Sequence, residues 1–481
     1  PSSFTILLAL LAIVAVITVI VSGTSGGAVT AARLSDFCTA PVKGFADALP
    51  VCLFVMILGG FLGMMTETGA LDNGIAVLVQ KLKGNEIMLI PVLMLIFSLG
   101  GTTYGMCEET VPFYALLAAT MMAAGFDPMV GAATVLLGAG CGCLGSTVNP
   151  FAVGAAVDAL TGVDIAVNQS IIIGLGAVLW LVTTVMSIVF VMSYAKKVKA
   201  DKGSTILSMQ ELEDAEAAHG KAASEVNKEV KLTGRQKGVL IAFAFTFVVM
   251  IVGFIPLADL TEGVANFFDA GAVYDADGNT VVQGWSALIT GLPIGQWYFD
   301  EASTWFFLMA ILIGIIGGLS EKQIVSTFIT GAADMMSVVL VIALARGISV
   351  LMASTGLDVY VLDAAANALA GLSGVIFAPM SFLVYFGLSF LIPSTSGMAT
   401  VSMPIMGPLA VKLGFSPEVM VMIFSAAIGV VNLFTPTSGA IMGGLALAKI
   451  EWTTWLKFAL KLIVALSVVC AVILTIACVM L

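Results

Sequence analysis

Long apolar runs separated by short polar segments extend through the whole chain. Runs of about 20 residues, the length that crosses the hydrocarbon core of a bilayer, occupy 4–24, 48–66, 86–101, 169–195, 236–256, 304–319, 336–353, 373–392 and 453–481. This pattern predicts an all-α polytopic membrane protein. The first run has neither a basic segment before it nor a small-residue cleavage site after it, so we expect a retained helix.

Small polar residues interrupt the apolar runs, and the interruptions occur twice in the same order. Thr102-Thr103-Tyr104-Gly105-Met106 matches Ser394-Thr395-Ser396-Gly397-Met398, and Gly145-Ser146-Thr147-Val148-Asn149-Pro150 matches Phe434-Thr435-Pro436-Thr437-Ser438-Gly439. Polar backbone at membrane depth is tolerated where it is buried by protein or lines a cavity, and proline disfavours the helix before it. We therefore predict a re-entrant helical hairpin and a broken transmembrane helix in each half, with four unwound points that meet near the midplane.

Other matches extend the duplication. Gly44-Phe45-Ala46-Asp47 corresponds to Gly331-Ala332-Ala333-Asp334, and Gly125-Phe126-Asp127-Pro128 corresponds to Gly414-Phe415-Ser416-Pro417. The predicted organisation is a first repeat over 1–196, a cytoplasmic linker over 197–235, a connecting transmembrane helix over 236–256, an external loop over 257–303 and a second repeat over 304–481.

The distribution of charge predicts the orientation. Lysines and an arginine are concentrated in the linker, whereas the loop 257–303 has no Lys or Arg and several acids. By the positive-inside rule the linker is cytoplasmic and the loop is external, as is the C-terminus. One helix crosses between the repeats, so the second repeat is inverted. We expect the linker to be a solvated connector, and the Asp275–Asn279 region to form a small two-stranded flap.

Composition limits the function classes. The 481 residues are 60% hydrophobic and 10% charged, with a net charge of −11, which excludes a basic nucleic-acid footprint. The seven cysteines lack metal-ligand spacing, and His219 is the single histidine. No nucleophile elbow, P-loop or zinc helix is present. We therefore expect that the protein is not an enzyme and has no nucleic-acid partner.

A pair of acidic residues follows the first hairpin tip. Glu108 and Glu109 lie where the second repeat has Thr400 and Val401. Ionised carboxylates are costly at bilayer depth unless they face water, a cation or a partner. The pair therefore suggests recognition of a positive group or of a proton; alternatively, one Glu caps a half-helix and the other lies at the interface.

Other charged residues have two interpretations. Arg346 lies in an apolar run where the first repeat has Gly59, and it either binds a substrate carboxylate bidentately or pairs with an internal acid. Asp47 and Asp334 are expected to cap helices.

Hydroxyl and amide oxygens at the two helix breaks are suited to a small cation such as Na⁺, while half-helix N-termini attract an anionic group. The alternative is that Ser and Thr only pack helices together. The candidate cation ligands are Ser146, Thr147, Asn149, Thr435 and Thr437. If transport is coupled to H⁺ instead of Na⁺, these residues bind no metal ion.

These motifs resemble a known family. Gly100–Met106, Glu108–Phe113, Gly145–Phe151 and Thr435–Gly439 are similar to the C4-dicarboxylate anaerobic carrier group, and within it to the arginine/ornithine antiporter and YfcC-type branch. The resemblance covers nearly the whole chain. It places the protein in the ion transporter superfamily of sodium/dicarboxylate symporter-like proteins.

The resemblance implies further properties. Such proteins are typically homodimers in the bacterial inner membrane, with a transport domain that moves like an elevator against a fixed scaffold. In the symporters, hairpin tips and helix breaks bind sodium and substrate. Together with the charged candidates, this gives as substrate-binding residues Thr102, Thr103, Tyr104, Glu108, Glu109, Asn149, Arg346, Ser394, Thr395, Ser396, Thr437 and Ser438.

The predicted function is secondary active transport of a small charged metabolite. An amino acid of the arginine/ornithine type is the leading hypothesis, by exchange or with Na⁺ or H⁺ as coupling ion. Glu108 or Glu109 would hold its cationic end, and Arg346 or the hairpin N-termini its carboxylate. The alternative is a sodium- or proton-coupled di- or monocarboxylate carrier. A channel or an intramembrane enzyme is the least favoured hypothesis.

Overall fold

The computed structural model describes residues 3–81, 85–225, 231–255, 262–275, 280–392 and 394–481. Nearly all of the regular structure is helical. The first part contains α1 (Ser3–Ser22), α2 (Leu34–Asp47), α3 (Leu49–Glu67), α4 (Ala70–Lys81), α5 (Leu89–Tyr104), α6 (Val111–Ala123), α7 (Pro128–Leu144), α8 (Ala155–Thr161) and α9 (Gln169–Ala200). Single turns cover Glu86–Met88, Glu108–Thr110 and Pro150–Gly154.

The middle and last parts continue the helical architecture. The middle contains the turn Lys202–Ser204, α10 (Met209–Glu225), α11 (Gly234–Phe254), α12 (Glu262–Phe268), β1 (Val273–Tyr274) and β2 (Thr280–Val282). The last part contains α13 (Phe299–Gly317), α14 (Glu321–Asp334), α15 (Met336–Thr355), α16 (Leu357–Leu369), α17 (Gly374–Leu391), α18 (Thr395–Lys412), α19 (Pro417–Val431), α20 (Gly439–Leu447) and α21 (Trp452–Met480).

Eight of the described helices are long and apolar enough to cross a membrane, which confirms a multi-pass membrane protein. They correspond to eight of the nine predicted apolar runs. The ninth run, 373–392, forms the shorter apolar helix α17.

The most buried helices are the two that precede the predicted breaks. Nearly every residue of α7 and α19 is buried. Both helices begin with a proline, which suits the first helical position, after a residue whose side chain caps the helix. Asp127 accepts from the backbone N–H of Val130, and Ser416 accepts from that of Val419. These two helices form the centre on which the site is built.

Helices from the two halves of the chain pack against each other in matched pairs. In one pair α2 contacts α15, and in the other α14 contacts α3. A second set has the same relation, because α6 contacts α20 and α18 contacts α8. The closest approaches are at glycines: Gly44 lies against Gly347, and Gly331 lies against Gly59. Each half therefore supplies the packing partner of the equivalent helix in the other half.

The loop over 257–303 contains the predicted two-stranded flap. β1 pairs with β2 antiparallel, with Val273 opposite Val282 and Tyr274 opposite Thr280. The turn residues 276–279 lie outside the described part of the chain.

The prediction that the linker is a solvated connector is wrong for its first half. Helix α10 packs on α4 and α6, and the side chain of Glu211 is 4% exposed. One Glu211 oxygen accepts from the backbone N–H and hydroxyl of Ser208, and the other accepts from the N–H of Glu451 before α21. His219 Nε2 lies 3.0 Å from the carbonyl of Leu447 at the end of α20. Polar contacts, which apolar periodicity does not reveal, hold this helix in place.

The same contacts shift the pKa of Glu211. Burial raises this pKa, but the hydrogen bonds from Ser208, Glu451 and Thr454 outweigh it and leave the pKa below the ordinary value. A lowered folded-state pKa means that the carboxylate stabilises the docked linker above the pKa of the unfolded chain, about 4.3. This contribution is lost as pH falls through the lower folded value.

Candidate functional site

A cavity of about 320 Å³ lies where the four predicted interruptions approach each other. This volume is at the lower end of the range of small-molecule sites. α2, α3 and α15 contribute to its wall, together with the hairpin tips and the helix breaks. The charged and polar lining residues that the structure describes include Asp47, Glu109, Thr110, Asn149, Arg346, Ser394, Thr395, Ser396, Ser425, Asn432, Thr437 and Ser438.

The first hairpin turns at Gly105, which lies inside the predicted tip 102–106, but the three residues before it are still helical. α5 continues through Thr102, Thr103 and Tyr104 and ends at Gly105, whose φ is 80°. Glycine suits this left-handed conformation. A side chain would also not fit, because a Cβ on Gly105 would lie 2.5 Å from Oδ1 of Asn149. The turn of the hairpin is thereby pressed against the first helix break.

The three residues before Gly105 have packing roles, which corrects their assignment as an unwound tip. Thr102 Oγ1 donates to the carbonyl of Gly145, and Thr147 donates through both N–H and Oγ1 to the carbonyl of Thr102. Thr103 Oγ1 donates to the carbonyl of Leu99 within α5. Tyr104 is buried against Phe254. None of these three side chains lies among the cavity-lining residues.

The second hairpin has its break before Thr395, so Ser394 is the one residue of the predicted tip 394–398 that is not helical. Ser394 caps α18, and its Oγ accepts from the N–H of Gly397. Thr395 and Ser396 form the first turn of that helix, and all three residues line the cavity. A helix N-terminus therefore opens toward the cavity and favours a negative group there.

The first helix break covers residues 145–149 between α7 and the turn Pro150–Gly154. Asn149 Oδ1 accepts from the N–H groups of Phe151 and Ala152, and its Nδ2 donates to Ser146 Oγ. Ser146 Oγ donates to the carbonyl of Cys143. Asn149 reaches the cavity, whereas Ser146 and Thr147 lie behind it. The break is thus held rigidly by its own side chains.

The second helix break lies between α19 and α20 and is supported from α21. The indole N–H groups of Trp452 and Trp455 donate to the carbonyls of Phe434 and Leu433, so backbone acceptors freed at the end of α19 are satisfied. Thr435 and Thr437 share a hydrogen bond of 2.7 Å between their hydroxyls. Thr437 and Ser438 line the cavity, and Thr435 does not.

The candidate cation ligands are divided between the two breaks. Ser146, Thr147 and Asn149 are joined to each other or to Thr102 by hydrogen bonds at the first break, and Thr435 and Thr437 are joined at the second. Hydroxyl and carbonyl oxygens remain the kind of ligand that a hard cation uses. A sodium site at either break therefore stays a prediction.

Glu109 is the buried carboxylate of the cavity wall. It is 1% exposed, and its Oε2 accepts from the N–H of Cys107. It also has further interactions within the protein. The backbone of Glu108 belongs to the turn Glu108–Thr110, but its side chain lies outside the described part of the structure.

Arg346 pairs with an internal acid, as one of its two interpretations predicted. Its Nε lies 3.1 Å from Oδ2 of Asp47, and both residues line the cavity. The expectation that Asp47 and Asp334 cap helices is wrong. Each is the last residue of its helix, and the following helices α3 and α15 begin after Ala48 and Met335 without a side-chain cap. A short connection leaves no room for a cap here.

Sequence reasoning missed Asp47 and Asn432 as cavity residues. Asn432 directly follows α19 at the second break and lies at the position equivalent to Cys143, which also lines the cavity. A polar amide next to a break in an apolar run was the available signal. The sequence carries no such signal for Asp47, because its contact with Arg346 depends on how α2 packs on α15.

A cavity with charged and polar groups between broken helices, in a bundle of apolar helices long enough to cross a membrane, defines the class of a membrane transporter rather than an enzyme. The chain belongs to the C4-dicarboxylate anaerobic carrier family, whose sequence model matches residues 28–479. This membership confirms the resemblance noted in the sequence.

Two relatives align over most of the chain. An uncharacterised protein of Haemophilus influenzae is 29% identical over 443 residues, which cover 92% of this chain and 78% of the relative. A protein of Escherichia coli named "Putative basic amino acid antiporter YfcC" is 27% identical over 443 residues, with coverage of 89% and 77%.

Two solved structures are distantly similar. MtrF of Neisseria gonorrhoeae, described as one of a class of antimetabolite efflux pumps, has a TM-score of 0.44 and 17% identity, with 100% of this chain and 96% of that chain covered. The YdaH transporter of Alcanivorax borkumensis has a TM-score of 0.45 and 15% identity, with coverage of 99% and 98%.

Proposed function

We propose that this transporter is a secondary carrier of a cationic amino acid such as arginine or ornithine. The observation that carries the proposal is the charge of the cavity. Its described lining has two carboxylates, Asp47 and Glu109, against one guanidinium, Arg346, which leaves one net negative charge. An arginine or ornithine molecule has one net positive charge. The name of the Escherichia coli relative supports the same substrate class.

A C4-dicarboxylate is the alternative, and the family description favours it. A dianion would need at least two positive partners in a low-dielectric site. Arg346 is the one cationic side chain of the described lining, and Asp47 already neutralises it. The N-terminus of α18 at Ser394 offers only a partial positive charge. The lining therefore suits a cation better than a dianion.

For the substrate itself, Glu109 would hold the cationic side chain. Its carboxylate is buried in the wall near the first hairpin tip, where little water competes for a bound ammonium or guanidinium group. Its environment also allows a different role, in which Glu109 carries a coupling proton. The carboxylate of the substrate would meet either Arg346 or the N–H groups at the start of α18.

The architecture proposed for transport is a pair of inverted repeats, 1–196 and 304–481. The exchanged helix pairs α2–α15 and α14–α3 support it, because two units related by a two-fold axis pack in this way. The linker over 197–235 would be cytoplasmic, and the loop over 257–303 and the C-terminus external. Single cysteines placed at Glu213 and Asp300 would test this orientation by labelling with a membrane-impermeant reagent.

Elevator movement, a homodimer, coupling to Na⁺ or H⁺ and residence in a bacterial inner membrane belong to the same proposal. They derive from the resemblance to sodium/dicarboxylate symporter-like proteins. Native mass spectrometry from mild detergent tests the dimer. Transport with and without a sodium or proton gradient tests the coupling ion.

A ligand screen by thermal unfolding tests the substrate class. Binding to the native state raises the apparent melting temperature. We expect arginine and ornithine to raise it, and succinate, fumarate and citrulline to have little effect at the same concentration. A shift with succinate or fumarate and none with the cationic amino acids would overturn the proposal in favour of the dicarboxylate carrier.

A further inference from the structure

The ion pair between Asp47 and Arg346 has no evident purpose in stability. The two side chains are 54% and 26% exposed, and exposed ion pairs contribute little to folding. Arginine is also unfavourable within an apolar membrane segment. Binding of a ligand that enters the cavity would explain why the ion pair lies in the cavity wall.

The equivalent position in the other repeat shows that helix packing does not need this pair. Arg346 corresponds to Gly59 and Asp47 corresponds to Asp334, and Gly59 packs directly on Gly331 of α14. α3 and α14 therefore make the equivalent contact with no guanidinium between them. The duplicated scaffold carries the ion pair on one side only, at the cavity.

The donors of Arg346 are largely unused. A guanidinium has five N–H donors, and the contact with Asp47 is measured at Nε. Within the described part of the chain, this ion pair is the only polar contact that the Arg346 side chain makes. The guanidinium therefore keeps donors for a planar carboxylate, which two parallel N–H groups bind well.

From these observations we infer that Asp47 and Arg346 together form the head-group subsite for a zwitterionic amino acid. The α-carboxylate of the substrate binds Arg346, and its α-ammonium binds Asp47. A zwitterion is the charge complement of a neighbouring carboxylate and guanidinium, so neither protein charge loses its partner on binding. This inference deepens the proposed function and rests on it: the head group lies on the α2–α15 side, and the cationic side chain reaches Glu109.

Three ligands test the subsite in the unmodified protein. Arginine carries both head-group charges, agmatine lacks the carboxylate, and N-acetylarginine lacks the ammonium. All three keep the guanidinium. We expect agmatine and N-acetylarginine to bind at least tenfold more weakly than arginine by isothermal titration calorimetry in detergent. Equal affinities for the three would overturn the inference, even if arginine is transported.

Variants assign each half of the subsite. We expect R346Q to reduce arginine affinity at least tenfold and agmatine affinity little, so that the preference for arginine over agmatine disappears. D47N should in the same way abolish the preference for arginine over N-acetylarginine. R346K, which keeps the charge but not the fork of donors, should retain part of the preference.

The outcomes separate the inference from the proposed function. A purely structural ion pair would lower the affinities for all three ligands by the same factor, and that result would overturn the subsite. If R346Q does not fold, the inference is tested by the ligand preferences of R346K and D47N and by the three affinities of the unmodified protein. If no cationic ligand binds to the unmodified protein at any concentration, the proposed function itself fails.

Discussion

The carboxylate of Glu109 provides the sharpest single perturbation of the cavity. Replacing it by glutamine keeps the size of the side chain and an oxygen that can accept from the N–H of Cys107, but removes the charge. The structure predicts that E109Q folds normally and loses affinity for arginine specifically. Citrulline has a neutral ureido group in place of the guanidinium and is the matched ligand.

The expected magnitude follows from the position of Glu109. Two unit charges 4 Å apart attract by about 4 kcal/mol at an effective dielectric constant of about 20, and Glu109 is 1% exposed. Desolvation of the incoming cation offsets part of this attraction. A hydrogen bond with a charged group leaves about 1.5–3 kcal/mol, and about 1.4 kcal/mol corresponds to tenfold in affinity. E109Q should therefore bind arginine about 10- to 150-fold more weakly.

The assay is the dissociation constant of arginine and of citrulline for unmodified protein, E109Q and a control. D158N is suitable as the control, because Asp158 is an exposed carboxylate on α8 outside the cavity lining. We expect unmodified protein and D158N to prefer arginine strongly and E109Q to have nearly lost the preference. An arginine affinity of E109Q within threefold of the unmodified protein would refute the role assigned to Glu109.

Three further predictions concern packing, pH and access. G142A should lower the free energy of unfolding by about 1–3 kcal/mol, because the added Cβ would overlap the carbonyl oxygen of Ser98. The control variant G387A should leave the stability unchanged, because no atom lies within 4 Å of its added Cβ; thermal unfolding in detergent measures both variants. E211Q should be about 1 kcal/mol less stable at pH 7, because a neutral side chain accepts more weakly from the N–H groups of Ser208 and Glu451. This difference in stability should shrink as pH falls below about 4.3, because the carboxylate of the unmodified protein becomes protonated. A difference that does not depend on pH would contradict the role of these hydrogen bonds. Cys107 and Cys143 both line the cavity, so in a C38S background we expect a cationic methanethiosulfonate to block transport faster than an anionic one, with protection by arginine. Equal rates without protection would contradict the charge assigned to the cavity.

Sequence pattern predicted the helical membrane architecture, and it predicted that the interrupted segments come together. The reason is that a bilayer core forbids unsatisfied backbone, so an interruption such as Gly145–Pro150 has few explanations. The cavity indeed includes residues from all four interrupted segments, among them Asn149, Ser394 and Thr437.

The role of individual residues was less accessible from the sequence. Thr102 and Thr147 bind each other, and composition does not distinguish a hydroxyl that faces a cavity from one that joins two helices. Within each predicted tip, the exact helix end is fixed by one residue, a left-handed glycine at Gly105 and a serine cap at Ser394. The pairing of Asp47 with Arg346 depends on tertiary packing between distant helices, which no local pattern encodes.

The central claim is that the cavity selects and carries a cationic amino acid. The most direct test is counterflow in proteoliposomes loaded with unlabelled arginine, ornithine, succinate or fumarate, with uptake of labelled arginine and labelled succinate as readout. The account predicts that labelled arginine accumulates against internal arginine or ornithine and that labelled succinate does not accumulate against any of the four. Accumulation of succinate against internal succinate or fumarate, with no exchange of arginine, would contradict it.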